Sequence, residues 1–406
     1  PLPPFASKLD DCSEVQLCGI QKILDRGLKY MSTGEIRRTL LARALISGKE
    51  LLLLSDPFAG LDVESRTILL DFIDKLDPSK STVILSMERW HEIPSSITNV
   101  LEFSNKKISF CGTRTEYEAL LQERESSLTE QKQQQKNAFS EDFVQTVKES
   151  SVLNESNQPK DNLQKTEQLY EQKIPLVQMF NVNVGWDDHQ VLKNLTWTLN
   201  KGEHWLIRGP NGSGKTTLLE LITGDNMQVF CNDVRLFGNK RGSGESIWDI
   251  KKKLGIVSYR LHVEYRMLGG TSLINVIISG FRDSIGLYGA ATDVELAAAK
   301  KWLALGGFSG RENESFGNLS YGEQRAILIL RSAVKTPEIL ILDEPCHGLD
   351  EQFRDKILQL MELIGEGRTT TILHVTHDAS EVLPCEKHIL ELHPGEDPMY
   401  KIIENK

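Results

Sequence analysis

No uninterrupted apolar run in these 406 residues reaches the ~18–20 needed to cross a bilayer, and no secretory signal is visible in them. Any transport role therefore needs a separate membrane subunit. Positive charge is short: 47 Lys and Arg face 57 Asp and Glu, a net −10, which argues against nucleic acid or an anionic membrane surface as the partner. Cysteine is sparse as well. The six (12, 18, 111, 231, 346 and 385) are scattered without CxxC spacing, so they read as reduced cytosolic thiols and not as a disulfide frame or a zinc site. The 39% hydrophobic and 26% charged content is that of an ordinary globular chain, long enough for about two to three domains.

A repeat organises the rest. Residues 31–66 (MSTGEIRRTLLARALISGKELLLLSDPFAGLDVESR) align without a gap on 319–354 (LSYGEQRAILILRSAVKTPEILILDEPCHGLDEQFR), with 14 identities in 36 positions at a constant offset of 288. The same offset pairs TVILSMERW (82–90) with TTILHVTHD (370–378). Each copy reads as a Ser/Gly turn, an amphipathic helix, an apolar strand ending in acidic residues and Pro, then a second helix and strand. Short apolar strands alternating with helices predict an α/β fold, a mostly parallel sheet flanked by helices, with its ligand at the carboxyl ends of the strands. Between the copies, residues 122–174 are rich in Gln, Glu, Ser, Asn and Lys, carry ten acidic against seven basic side chains, and read as a flexible or loosely helical linker. The expected domains are 1–121, 122–174 and 175–406.

The strongest chemical signal is GPNGSGKTT (209–217), a G-x-x-x-x-G-K-T between an apolar strand (HWLIRG) and a helix (TTLLELITG), the context of a P-loop. Gly209, Gly212 and Gly214, among Pro210, Asn211 and Ser213, let the backbone turn its N–H groups toward phosphate oxygens. Thr216 and Thr217 open a helix whose positive end adds to the attraction. Lys215 is expected on the β- and γ-phosphates of ATP, and the Thr216 hydroxyl on Mg²⁺. ILILDEP (339–345) brings Asp343 to a strand end, where it can hold the Mg²⁺ shell, and Glu344, where it can orient or deprotonate the attacking water.

With the P-loop, three further stretches resemble the ATP-binding cassette (ABC) ATPases: LSYGEQR (319–325) is similar to their signature, HGLD (347–350) to their D-loop and VTHD (375–378) to their H-loop. The fold implied is a P-loop NTPase with two cassettes, the first incomplete. The resemblance implies that His377 contacts the γ-phosphate. It also implies that Trp186, 23 residues before Gly209, stacks on adenine, the bland alternative being an ordinary core aromatic. Where the family places a Gln after the strand read here as LGIVSY, this chain has Tyr259, which puts coupling to a membrane permease in doubt.

At offset 288 the first copy carries Ser55 for Asp343, Asp56 for Glu344 and Arg89 for His377. Serine is a poor Mg²⁺ ligand, Asp56 is one methylene short, and Arg is no neutral hydrogen-bond partner at pH 7. The chain opens PLPPFASKLD, without Met and with only 31 residues before Ser32, so the first copy is expected to be cut short before a cradle or never to have had one. It keeps Ser32, Gly34 and Glu35 of the signature pattern. In the family two cassettes face head to tail, so the resemblance implies one composite site: cradle, carboxylates and His from the second copy, and a lid of Ser32, Gly34 and Glu35 from the first, within one chain or in a homodimer. A tandem-cassette branch linked by name to molybdate transport shares the stretches KGEHWLIRGPNGSGKTTLLELITGD and RGSGESIWDIKKKLGIVS, and implies a cytoplasmic ATPase, peripheral at the membrane through a permease. Two alternatives stand beside it: a ribosome-associated factor of the ABC-F type, which the negative linker disfavours, and a regulatory ATP-binding protein with little turnover.

Overall fold

The strands ILILD, TILHV and HWLIR carry apolar side chains on both faces, and a strand can do that only where both faces of its sheet are covered. In the computed structural model they lie side by side. The structure describes residues 174–404 except 187–188, 268 and 368. Of the first 124 residues it describes 12, 15–16, 18–25, 27, 33–46, 50–58, 63–76, 82–87, 93–104 and 107–124. The chain divides into two compact units, Pro1–Ala138 and Phe139–Lys406. Their boundary falls within 122–174, of which 125–173 lie outside the described residues.

In the first unit, β1 (Leu51–Ser55) pairs in parallel with β2 (Thr82–Ser86), and β3 (Asn99–Ser104) forms an antiparallel hairpin with β4 (Lys107–Thr113). The helices Thr33–Ile46 and Val63–Asp74 contribute Leu41, Ala42, Leu69, Phe72 and Ile73 to a small core with Val15, Ile20 and Phe58. One face of β1 and β2 packs toward that core. On the other, Leu51, Leu53 and Ile84 are exposed.

In the second unit, β5 (Pro175–Trp186), β6 (His189–Asn200), β8 (Asp233–Leu236) and β9 (Asn239–Lys240) form an antiparallel sheet in the order β6-β5-β8-β9. The main sheet runs β10 (Leu254–Val257), β11 (Ile339–Asp343), β12 (Thr371–Val375), β7 (His204–Arg208), β13 (Glu386–Leu392) and β14 (Tyr400–Glu404). All of its pairings are parallel except β13 with β14. The mostly parallel sheet is therefore as expected, while the antiparallel sheet is an addition: its strands lie outside the repeated segment, where no second copy drew attention to them. One apolar cluster joins the two sheets through Leu218, Leu221, Ile341, Leu373 and Trp197. A second lies beneath the helices Leu273–Phe281, Asp293–Leu305, Tyr321–Ala333 and Glu351–Glu366.

The two copies differ in register. Leu53 pairs with Ile84 in the first unit, whereas Ile341 pairs with Leu373 in the second, although the offset of 288 carries Ile84 onto 372 (84 + 288). Burial on both faces and neighbours on both edges pin β11 and β12, whereas half-exposed β1 and β2 have no third strand among the described residues. Leu53 and Ile341 are equivalent by the offset (53 + 288), yet they are 69% and 1% exposed. Ile341→Ala is therefore expected to cost the second unit about 2–5 kcal/mol. Leu53→Ala should stay within about 0.5 kcal/mol. Denaturant unfolding of both variants checks the difference.

Candidate functional site

The cradle begins where β7 ends and closes at the helix Lys215–Thr223. Two glycines are demanded by geometry. Gly212 sits at φ 80°, and Gly214 caps the helix at φ 95°, where an added Cβ would stand 2.8 Å from Val191 Cγ1. Lys215 is buried, and its ammonium donates to the carbonyls of Gly209 (2.7 Å) and Pro210 (2.9 Å), which folds the loop around its own lysine. Ser213 is 2% exposed with a hydroxyl that has no partner among the described residues, a donor left over inside the loop. Thr216 is exposed at the helix's first turn and Thr217 half-buried behind it. A phosphate fits these features: the N–H groups of a helix N-terminus, one orphaned hydroxyl and an ammonium held by two replaceable carbonyls.

Two strands away, β11 delivers Asp343 and Glu344. Burial, and then the adjacent charge of Glu344, pushes the Asp343 carboxyl up to about 6, against the pull of Lys215, Arg325 and His374. Burial would raise Glu344 too. It is outweighed by a hydrogen bond from His377 and by the charges of His377, His347 and Lys215, which hold Glu344 below its ordinary value. His377 follows β12, and its Nδ1 lies 3.0 Å from Glu344 Oε1. Glu344 occupies the left-handed region at φ 46°, a strained place for a side-chain-bearing residue, and its N–H is tied to Val375 O at 2.9 Å. The strand end thus aims an ionised carboxylate, steadied by a histidine, into the mouth of the P-loop. Among the described residues no three His, Cys, Asp or Glu side chains gather into a metal cage. Thr216 and Asp343 suit Mg²⁺ held jointly with phosphate oxygens, the usual mode for that ion.

The other expected residues fall as follows. Trp186 ends β5, paired with His189, and is 50% exposed, so it is not core. Tyr259 opens the helix Tyr259–Met267. In the first unit Gly34 and Glu35 lie in the helix Thr33–Ile46, while Ser32, Arg89 and the GLD of 60–62 lie outside the described residues. Asp56 adopts φ 43° and donates its N–H to Ser86 O at 2.7 Å, the same turn that holds Glu344.

Two participants escaped the sequence reading. Arg325 is 1% exposed, donates to Ser258 O (3.3 Å), and lends its charge to Asp343. It was visible as the Arg of LSYGEQR, but nothing in the sequence gives its depth. His347 lends charge to Glu344 from the HGLD turn.

The sequence profile of the family described as ABC transporter matches residues 192–347, from β6 across the P-loop to the turn after Glu344. The ABC transporter ATP-binding protein ModF of Escherichia coli is 40% identical over 96% of this chain and 75% of its own length. This chain belongs to the ABC transporter ATP-binding family. An uncharacterized ABC transporter ATP-binding protein of Schizosaccharomyces pombe is 30% identical over 82% of this chain and 62% of its own, and the zinc uptake system ATP-binding protein ZurA of Listeria innocua is 29% identical over 53% and 82%. The recognition from signature, P-loop and strand-end carboxylates, and the α/β P-loop fold it implied, are correct. No helix among the described residues is long and apolar enough to cross a membrane.

Lys215→Ala removes the ammonium and leaves two carbonyls turned inward. ATP affinity is expected to fall at least about thirtyfold, ~2 kcal/mol, in an equilibrium nucleotide titration.

Proposed function

We propose that the second unit binds ATP with Mg²⁺ and hydrolyses it, as a ModF-like member of the ABC family. The observation that carries this is the His377–Glu344 contact of 3.0 Å at the end of strands adjoining a complete P-loop. In this reading the Gly209–Thr217 loop holds the phosphates, Thr216 and Asp343 hold the metal, and the metal neutralises phosphate charge. Glu344 takes a proton from, or orients, the attacking water, and His377 keeps its carboxylate ionised and aimed. Trp186 offers a half-exposed indole to the base.

A membrane permease as partner is consistent with the family. So is molybdate as the transported ion, but no described residue group supports an oxyanion site outside the P-loop, and that link rests on the resemblance to ModF. The negative linker continues to weigh against a ribosome-associated role.

Two substitutions test the assignment of copies. Glu344→Gln should retain ATP while slowing turnover ~10²–10⁴-fold. Asp56→Asn, in the same turn of the first unit, should be close to silent. Steady-state phosphate release measures both, and the reverse pattern would place catalysis in the wrong copy. A lid role for Ser32, Gly34 and Glu35 predicts that Gly34→Asp leaves the Kd for ATP within about twofold and abolishes turnover, since closure completes such sites. Loss of binding and turnover together would contradict it.

A further inference from the structure

β8 pairs with β5 only from Val177 to Phe180, which meet Leu236 to Asp233. Beyond that point the edge of β5 runs on toward Trp186 with its N–H and C=O groups facing no strand among the described residues. Two side-chain amides take over the pairing. Asn183 donates its N–H to Asn232 Oδ1 (2.8 Å) and accepts from Asn232 Nδ2 at its carbonyl (3.0 Å). Two residues on, Gly185 donates to Gln228 Oε1 (3.3 Å) and accepts from Gln228 Nε2 (2.9 Å). A primary amide presents the same donor–acceptor pair as a peptide group, so Asn232 and Gln228 extend the sheet edge by two rungs without a strand.

The two amides share one short support. Gln228 lies within a 3₁₀ turn, Met227–Cys231, and Asn232 caps its C-terminal end, where Asn232 Nδ2 also donates to Gln228 O (2.9 Å). Asn226 is buried and caps that turn by accepting from the Gln228 N–H (2.9 Å), and its own N–H returns to Glu220 O (3.2 Å) on the P-loop helix. A continuous path of hydrogen bonds therefore runs from the helix that begins at Lys215 to the last residue before Trp186.

We propose that Gln228, supported by Asn232, is a positioning residue that fixes the Trp186 indole at a set height above the P-loop and so selects a nucleotide with a purine base over a bare polyphosphate. The proposal rests on the reading that the P-loop holds the triphosphate of ATP. The amides touch backbone and not the nucleotide; their effect passes through the strand end. Stacking on an aromatic depends on where the ring is held, because the contact is gained only if the base reaches the ring while its phosphates sit in the cradle. A loosened strand end therefore loses base recognition and leaves phosphate recognition intact.

The experiment is an equilibrium titration of the 406-residue chain with Mg-ATP and separately with magnesium and inorganic triphosphate. The proteins are the unsubstituted chain, Lys215→Ala, Trp186→Ala, Gln228→Leu and the Trp186→Ala/Gln228→Leu pair. Trp186→Ala should weaken ATP about tenfold, the worth of one stacked base, and Gln228→Leu about fivefold. The double variant should be no weaker than Trp186→Ala alone, since the clamp acts through that ring. Triphosphate affinity should be unchanged by all three and lost only in Lys215→Ala. The proposal is overturned if Gln228→Leu leaves ATP affinity as it was, if ATP and triphosphate weaken alike, or if the double variant multiplies the two losses. Should Gln228→Leu fail to fold, Gln228→Glu keeps an acceptor for the Gly185 N–H and replaces the donor to the Gly185 carbonyl with a charged acceptor that repels it. It should still weaken ATP selectively, and no change there overturns the proposal. Triphosphate binding that survives Lys215→Ala, or no binding by the unsubstituted chain, would instead remove the P-loop reading and the proposal with it.

Discussion

The adjacency of β11, β12 and β7 in one parallel sheet is the constraint on which the site depends. These strands are distant in sequence, yet each ends at the same edge: β7 in the P-loop, β11 in Asp343 and β12 two residues short of His377. Because the pairings are parallel, all three carboxyl ends must emerge together, and the loops they launch share one mouth. Burial of both faces holds the register, since a slip by one residue would send Asp343 to the opposite face. The same burial creates the electrostatics. It pushes Asp343 up to about 6 and makes Glu344 dependent on His377, so packing and chemistry have one cause here.

The first unit keeps the backbone of this turn with different side chains on it. Asp56 retains the left-handed turn of Glu344, φ 43° against 46°, and each N–H is tied to the following strand, at Ser86 O and Val375 O. Holding a non-glycine residue there costs on the order of 1 kcal/mol or more. That strain persists although Ser55 stands where the second unit has Asp343. The turn is thus a property of the strand–helix junction, and what differs is the pair of side chains it carries, Ser55 and Asp56 against Asp343 and Glu344.

How legible all this was in the sequence varies by element. GPNGSGKTT was legible because its glycines, lysine and flanking strand and helix are local. ILILDEP was legible because an apolar strand buried on both faces leaves no room for polar letters until it ends. The antiparallel sheet was not, since β5 and β6 carry bulges and polar residues that break simple alternation; Asn181 and Asn194, at φ 50°, mark two of them. The role of Trp186 was left open between core and stacking, and its exposure removes the core reading. The His377–Glu344 contact and the amide rungs at Asn232 and Gln228 could not be read at all. Each joins residues that no spacing rule connects, and only the fold brings them within hydrogen-bond reach. Gly322 carries a related lesson: a Cβ there would stand 2.5 Å from the Phe353 ring, so that glycine is fixed by packing within its own unit whatever else the signature does.

The proposed function places one nucleotide on this chain, in the second unit, and none on the first unit's altered copy. Binding stoichiometry tests this most directly. Equilibrium dialysis of the chain against a concentration series of radiolabelled Mg-ATP should level off at one nucleotide per 406-residue chain, with Lys215→Ala needing at least about thirtyfold more ATP for half-filling. Two nucleotides per chain, or an unshifted half-filling concentration in Lys215→Ala, would contradict the account.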